Sequence, residues 1–495
     1  MPSGMATIVV DAGGRSVALN AGLFIDGAFV PSCSGKSFAT VSPVNGKTIA
    51  QVAEGDKPDV DKAVDAAHRA FGGWSMLDTS VRAEHLRKLA AAIEARIDDF
   101  VHLEALDNGK TLEAARTVDL NFAVQTFYYY AGWADKLMGE TLQTSEDHFD
   151  YTLREPLGVC AGIIPWNYPL LTLAWKVAPA LACGNTFILK SSEKTPLSAL
   201  LFAQLCAETG LPKGVFNLVS GFGPTVGAAL ARHPGVHKVA FTGSTATGRL
   251  IQTMAADTNL KKVTLELGGK SPTIIFGDAD LEEAVAWAAI GVFANHGQVC
   301  CAGTRIFVHS DVYDEFAKRF VKAAQDLRVG DPFGQVDQGP QVDTQQMDKV
   351  LGYIETGKKE GARLLTGGHR VGSEGCFVAP SVFADVRDDH TIAREEIFGP
   401  VACLFRFDNE EDVIRRANDT PYGLAAAVFT TDLAKALRVT RKLQAGVVWV
   451  NEYNMTDWRM PFGGYKESGY GRDLGKYALE GYTQCKAVRI RLSKL

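Results

Sequence analysis

Between residues 158 and 269 the chain alternates short β-type runs with stretches whose apolar residues recur at helical spacing, and that alternation restricts it to a parallel sheet covered by helices. The strands expected are 158–164, 186–189, 215–219, 238–241 and 263–265, joined by helices over 170–181, 196–208, 224–231 and 245–256. This is a doubly wound α/β nucleotide-binding architecture. After residue 269 the alternation resumes with a strand at 273–276, a helix at 281–295, a strand at 305–309 and a helix at 312–327. A second α/β unit therefore runs to about residue 466 and includes a strand at 446–450. Upstream, 63–137 reads as amphipathic helix, and its aromatic-rich stretch from Phe122 to Trp133 reads mostly as core. Two segments fit neither unit, 138–155 and 481–495, and both read as strands at a sheet edge.

A length of 495 residues exceeds what one core supports, so two or three domains are expected. Lys and Arg total 51 against 57 Asp and Glu, a net charge of −6 with no basic run, which argues against nucleic acid and membrane surfaces as partners. The most apolar region, 158–190, is interrupted by Pro165, Asn167, Pro169, Lys176 and Pro179, and falls short of the roughly 18 to 20 unbroken apolar residues of a spanning helix. The first 20 residues read as neither a secretory signal nor a transit peptide, so a soluble, cytoplasmic protein is expected. Nine cysteines without a C-x-x-C pair fit neither a disulfide framework nor a thiolate zinc site; no metal is expected, and a reducing compartment is.

One of those thiols stands in Gly297-Gln298-Val299-Cys300-Cys301-Ala302-Gly303. Flanking glycine lets the backbone come close to a substrate, and the Cys300 N–H can face an oxygen that becomes negative when sulfur adds to a carbonyl. Upstream, Glu266 lies between a β-rich run and Gly268-Gly269, a strand end where a carboxylate can activate water. Taken singly, such residues are more often a packed thiol and a surface glutamate. Asn167 sits in Pro165-Trp166-Asn167-Tyr168-Pro169, where two prolines stiffen the loop and the side chain can offer an N–H. Two glycine-rich turns, Gly221-Phe222-Gly223-Pro224-Thr225-Val226-Gly227 and Gly243-Ser244-Thr245-Ala246-Thr247-Gly248, each follow an expected strand and open a helix. That is where a pyrophosphate can meet free N–H groups, although by pattern alone either serves equally as an ordinary turn.

Taken together, these blocks resemble the aldehyde dehydrogenase superfamily. Phe293-x-x-x-Gly297-Gln298-x-Cys300 and Leu265-Glu266-Leu267-Gly268-Gly269 are similar to its two active-site signatures, and Pro165 to Pro169, Phe241-Thr242-Gly243-Ser244-Thr245, Glu396-Ile397-Phe398-Gly399-Pro400 and Pro461-Phe462-Gly463-Gly464-Tyr465-Lys466 follow in the family's order. The resemblance implies a Rossmann-like NAD-binding domain (1–137 and 157–268), an α/β catalytic domain (269–466) and a small β oligomerisation arm (138–156 and 467–495), hence a homodimer or homotetramer. It implies NAD-dependent oxidation of an aldehyde to the acid, with Cys300 as nucleophile, Glu266 as base, Asn167 as oxyanion donor and Lys176 with Asp473 as a proton relay, where relatives often carry glutamate in place of Asp473. A generic Cys–His dyad with His296 is disfavoured.

For the cofactor, the resemblance implies contacts from Ile164, Trp166, Lys190, Glu193, Gly223, Gly227, Phe241, Gly243, Ser244, Glu396 and Phe398. Glu193 can accept both ribose hydroxyls and repels a 2′-phosphate, so NAD is expected over NADP. For the substrate it implies Phe122, Tyr168, Trp175, Thr456 and Phe462, an aromatic pocket suited to indolyl, phenyl or short aliphatic aldehydes. Asn454, Met455, Thr456 and Asp457 stand where relatives add another aromatic, which widens the mouth or makes it more polar. Cys301 is read as a packing residue. The competing readings are a coenzyme-A-acylating semialdehyde dehydrogenase, which Glu266 opposes, an idle structural protein on this fold, and a cysteine hydrolase.

Overall fold

The computed structural model describes residues 7–492; the first six residues of the expected NAD-binding domain and the last three of the expected arm lie outside the described residues. Five parallel strands occur where the sequence pattern puts them: Val159–Ile163, Thr186–Lys190, Phe216–Leu218, Lys238–Thr242 and Lys262–Glu266. Val159–Ile163 is central, with Thr186–Lys190 and then Phe216–Leu218 on one side, and Lys238–Thr242 and then Lys262–Glu266 on the other. The direction of winding thus reverses at Val159–Ile163, opening a crevice outside the carboxyl ends of the strands where such sheets bind ligands. The central strands are buried along their length, as parallel strands covered on both faces must be.

Antiparallel strands extend this sheet to eight. Leu23–Ile25 and Ala28–Val30 form a hairpin beside Phe216–Leu218, and Gly469–Tyr470 pairs with Lys262–Glu266. Neither edge was expected; through the second, residues 469–470, within the segment expected as part of the arm, pair with the first sheet. The Leu23–Ala28 hairpin turns on Asp26 and Gly27, both with positive φ, and the separate hairpin Thr7–Ala12/Arg15–Asn20 turns on Gly13 and Gly14, also positive. Both are two-residue turns matched to strand twist.

The second sheet has seven strands in the order Arg363–Thr366, Ser381–Ala384, Val401–Phe407, Arg305–His309, Pro272–Ile275, Ala425–Phe429 and Val447–Val450, all parallel except the first. A third sheet joins Thr141–Leu142, His148–Pro156 and Thr483–Arg491, with Thr483 opposite Pro156 and Arg491 opposite His148. Helices agree with expectation most closely at Thr245–Ala256 and Leu197–Glu208. The helix expected over 224–231 instead begins as a π-helical turn, Gly223–Gly227, and a second π-turn, Ala115–Leu120, interrupts the upstream helices. The helix expected to reach residue 295 ends at Phe293, because Asn295 turns left-handed.

Candidate active site

Cys300 lies on the loop entering Arg305–His309, at the amino end of a second-sheet strand, and faces the carboxyl ends of the first sheet. Asn295, His296 and Gly297 are successively left-handed, with φ of 47°, 60° and 72°. That is a costly run of backbone, of the kind held in place by its surroundings at functional sites. A Cβ on Gly297 would lie 2.1 Å from the carbonyl carbon of Gly399, so only glycine lets the loop approach that segment. The loop is pinned by Gly339 N–H donating to His296 Nδ1 at 2.9 Å, Gln341 Nε2 to His296 O at 3.2 Å, and Val342 N–H to Gln298 Oε1 at 3.0 Å. His296 is a buried anchor whose Nδ1 is occupied by Gly339 N–H and whose pKa burial pushes down to about 3.

The Cys300 thiol is pushed well above its usual pKa, first by its contact with the Cys301 thiol and then by burial, so it rests protonated. Cys301 points into the core, donating from Sγ to Asn454 Oδ1 at 3.2 Å, as a packing residue would. Asn167 follows the central strand of the first sheet. Its Nδ2 donates to Gln298 O at 2.9 Å, which leaves its second N–H available to a bound oxygen. Among the described residues, no main-chain hydrogen bond uses the Cys300 N–H.

Glu266 ends Lys262–Glu266. It is 5 % exposed, and neither carboxyl oxygen has a hydrogen-bond partner among the described residues. Burial, reinforced by the Asp473 charge, raises its pKa well above the carboxylate range. A carboxyl made more basic in this way is suited to taking a proton near neutral pH. Lys176, on Pro169–Ala182, is ion-paired with Asp473, whose main chain pairs with Phe462. The shorter aspartate side chain therefore still closes the contact.

Cys300, Glu266, Asn167, Trp166, Gly243, Ser244, Glu396, Phe398, Tyr168, Trp175, Thr456 and Phe462 all line one cleft of about 390 Å³. Lys176 lies behind it, as do the buried Ile164 and Phe241. Phe122, also expected there, packs edge-on against Trp458 at 5.6 Å, and Val118, one turn earlier, lines the cleft. Gln346 and Lys349, both on Thr344–Lys359, also reach the cleft; no motif marks them in the sequence.

The donor set suits a dinucleotide. Ser244 is the N-cap of Thr245–Ala256, accepting from Thr247 N–H at 3.3 Å, and the helix N-terminus faces the cleft. Lys190 Nζ donates to Glu193 Oε2 at 3.1 Å at the end of the neighbouring strand, and Glu193 stays partly exposed, as a ribose-diol acceptor must. Space around Gly223 is open, and Gly227 meets only Ile163 at 3.9 Å. Glu396 accepts from Gly269 N–H at 3.1 Å through Oε1, leaving Oε2 for another donor; burial lifts its pKa to about 7. Phe398 packs edge-to-face on Trp166 at 5.2 Å.

A doubly wound sheet whose carboxyl ends face a loop-borne thiol across a cleft with a dinucleotide donor set defines an α/β oxidoreductase. Residues 29–488 match the aldehyde dehydrogenase family, and the chain belongs to that family and is an enzyme of its class. It is 53% identical over 474 residues to the mitochondrial aldehyde dehydrogenase of Homo sapiens, covering 95% of this chain and 92% of that one. The NAD+ complex of an aldehyde dehydrogenase from Bacillus cereus superposes with a TM-score of 0.94 at 48% identity, covering 95% of this chain and 96% of that one. An indole-3-acetaldehyde dehydrogenase from P. syringae, in complex with NAD+ and IAA, superposes with a TM-score of 0.94 at 42% identity, covering 96% and 97%. Among the described residues no helix is long and apolar enough to cross a membrane.

Proposed function

We propose that the protein oxidises aldehydes to carboxylic acids with NAD through a covalent adduct on Cys300. The observation that carries this reading is the meeting of the Cys300 thiol, the Asn167 amide and the unpartnered Glu266 carboxyl in one cleft. Cys300 Sγ bonds to the carbonyl carbon as its proton passes to water in the cleft, and the resulting oxyanion is met by the Asn167 side-chain N–H and the Cys300 N–H. Collapse of the oxyanion releases hydride, for which NAD+ held on the Ser244 and Glu396 side of the cleft would supply the acceptor. Glu266 then takes a proton from the water that attacks the thioester, releasing the acid and restoring the thiol. Lys176 and Asp473 pass that proton on from Glu266. Residues 1–137 and 157–268 carry the cofactor side and 269–466 the thiol. The sheet built on Thr483–Arg491 supplies the oligomerisation arm of a homodimer or homotetramer.

The lining of Tyr168, Leu171, Trp175 and Phe462 favours apolar or aromatic aldehydes, and Asn454 and Thr456 make the mouth more polar. The indole-3-acetaldehyde enzyme among the structural neighbours lends weight to an indolyl or phenyl substrate. All nine cysteines are free thiols, in keeping with a reducing compartment such as the cytoplasm. A panel of aldehydes with NAD, NADP and coenzyme A, followed by reduced nicotinamide, tests the proposal. NADH release without coenzyme A is expected; acid formed without NAD, or an absolute need for coenzyme A, overturns it.

Glu193→Ser tests the ribose assignment. NAD is expected to be preferred by the unmodified protein, and the variant to raise kcat/KM for NADP relative to NAD by about tenfold, which is about 1.4 kcal/mol. Two like charges near a protein surface exchange up to a few kcal/mol, and partial exposure of Glu193 reduces that. Equal use of NADP before the substitution would remove the basis for this assignment.

A further inference from the structure

Beneath the Asn167 turn lies a buried cluster of charges to which the steps above give no part. Lys110, in the connection after Ile97–Asp107, is 1% exposed. Its Nζ is ion-paired with Asp119, itself 1% exposed, and stands 3.5 Å from Oε2 of the fully buried Glu104. The same ammonium donates to the main-chain O of Asn167 at 3.1 Å and lies 4.5 Å over the Tyr168 ring. Glu104 Oε1 accepts the Leu170 N–H at 3.1 Å, one of the unpaired donors at the start of Pro169–Ala182. Asn108 Nδ2 donates to Trp166 O at 2.6 Å. The main chain of the turn is thus gripped from below at residues 166, 167 and 170.

Such a cluster is a poor way to gain stability, because removing charges from water costs about as much as their attraction returns, and an apolar core would do as well. What it supplies is position. Asn167 Nδ2 spends one N–H on Gln298 O, so small rotations of the turn decide where its second N–H points. The π-turn Ala115–Leu120 places Asp119 on Lys110 and, one residue earlier, Val118 on the cleft.

We propose that Lys110, held by Asp119 and Glu104, is a positioning residue for the oxyanion site: by fixing the Asn167 carbonyl it keeps the Asn167 amide directed at the oxygen of the carbonyl that Cys300 attacks. This rests on Asn167 being the oxyanion donor. The test is rapid mixing of the full-length protein with NAD and an aldehyde that it turns over. The NADH burst is read in Asn167→Ala, Lys110→Met, Asp119→Asn and the double variant Lys110→Met/Asn167→Ala, with KM for the aldehyde and Kd for NAD alongside. Asn167→Ala is expected to slow the burst by about 10² to 10³. Lys110→Met is expected to slow it by about 10 to 10², with KM and Kd little changed, since misplacement rather than lost binding is at issue. In the Asn167→Ala background Lys110→Met should add almost nothing, because there is no amide left to position. Losses that multiply in the double variant, or that fall on KM and Kd alone, overturn the proposal while leaving Asn167 as donor. A full burst in Asn167→Ala removes the donor and the proposal with it. Should Lys110→Met not fold, Asp119→Asn decides: a slowed burst that vanishes as an effect beside Asn167→Ala supports positioning, and an unchanged burst in the folded variant overturns it.

Discussion

Cys300→Ser is expected to abolish aldehyde oxidation, lowering kcat by on the order of 10³ to 10⁶ as loss of a covalent nucleophile does, while Cys301→Ser retains most of the activity. The two thiols are adjacent, yet the structure commits them differently. Both line the cleft, but Cys300 is partly exposed there beside Asn167, whereas Cys301 is buried, its Sγ bonded to Asn454 and its carbonyl accepting the Tyr453 hydroxyl at 2.8 Å. A serine at 301 can repeat the bond to Asn454. At 300 it cannot repeat the chemistry, because sulfur is the more potent nucleophile and a neutral hydroxyl needs far stronger base help. Steady-state rates with a thermal melt of each variant check this. Comparable losses in both, with melting unchanged, would show that the nucleophile is misassigned.

Glu266→Gln separates the halves of the reaction. The amide keeps the size of the side chain but cannot take a proton, so attack of water on the thioester loses about 10² to 10⁴ in rate. A burst of one NADH per active subunit followed by a stall is expected, with an acyl adduct on Cys300 visible by intact mass after quenching. Because Cys300 rests protonated, a second outcome is informative: a slowed burst means that Glu266 also takes the thiol proton. Full steady turnover would eliminate it as the base.

The central strands of both sheets are legible in the sequence because strands buried on both faces read as uninterrupted apolar runs between turn residues, and Arg305–His309 has the bounds that pattern predicts. The amino-terminal hairpins escaped that reading because their strands are short and expose one side, although Asp26-Gly27 and Gly13-Gly14 are themselves hairpin signals. The π-turns are invisible to a search for helical period, since one extra residue in a turn leaves the apolar pattern nearly intact. Motif-bearing members of the site were readable from local sequence. Lys110, Asp119, Gln346 and Lys349 were not, because what makes them part of the site is which carbonyl or cavity they reach across the fold.

The adjacency of the Cys300 and Cys301 thiols also bears on chemical durability. Peroxides and alkylating agents react with the thiolate, so a neighbouring thiol that raises the pKa of Cys300 slows those reactions, while the cleft that admits a substrate leaves the same sulfur partly open to them.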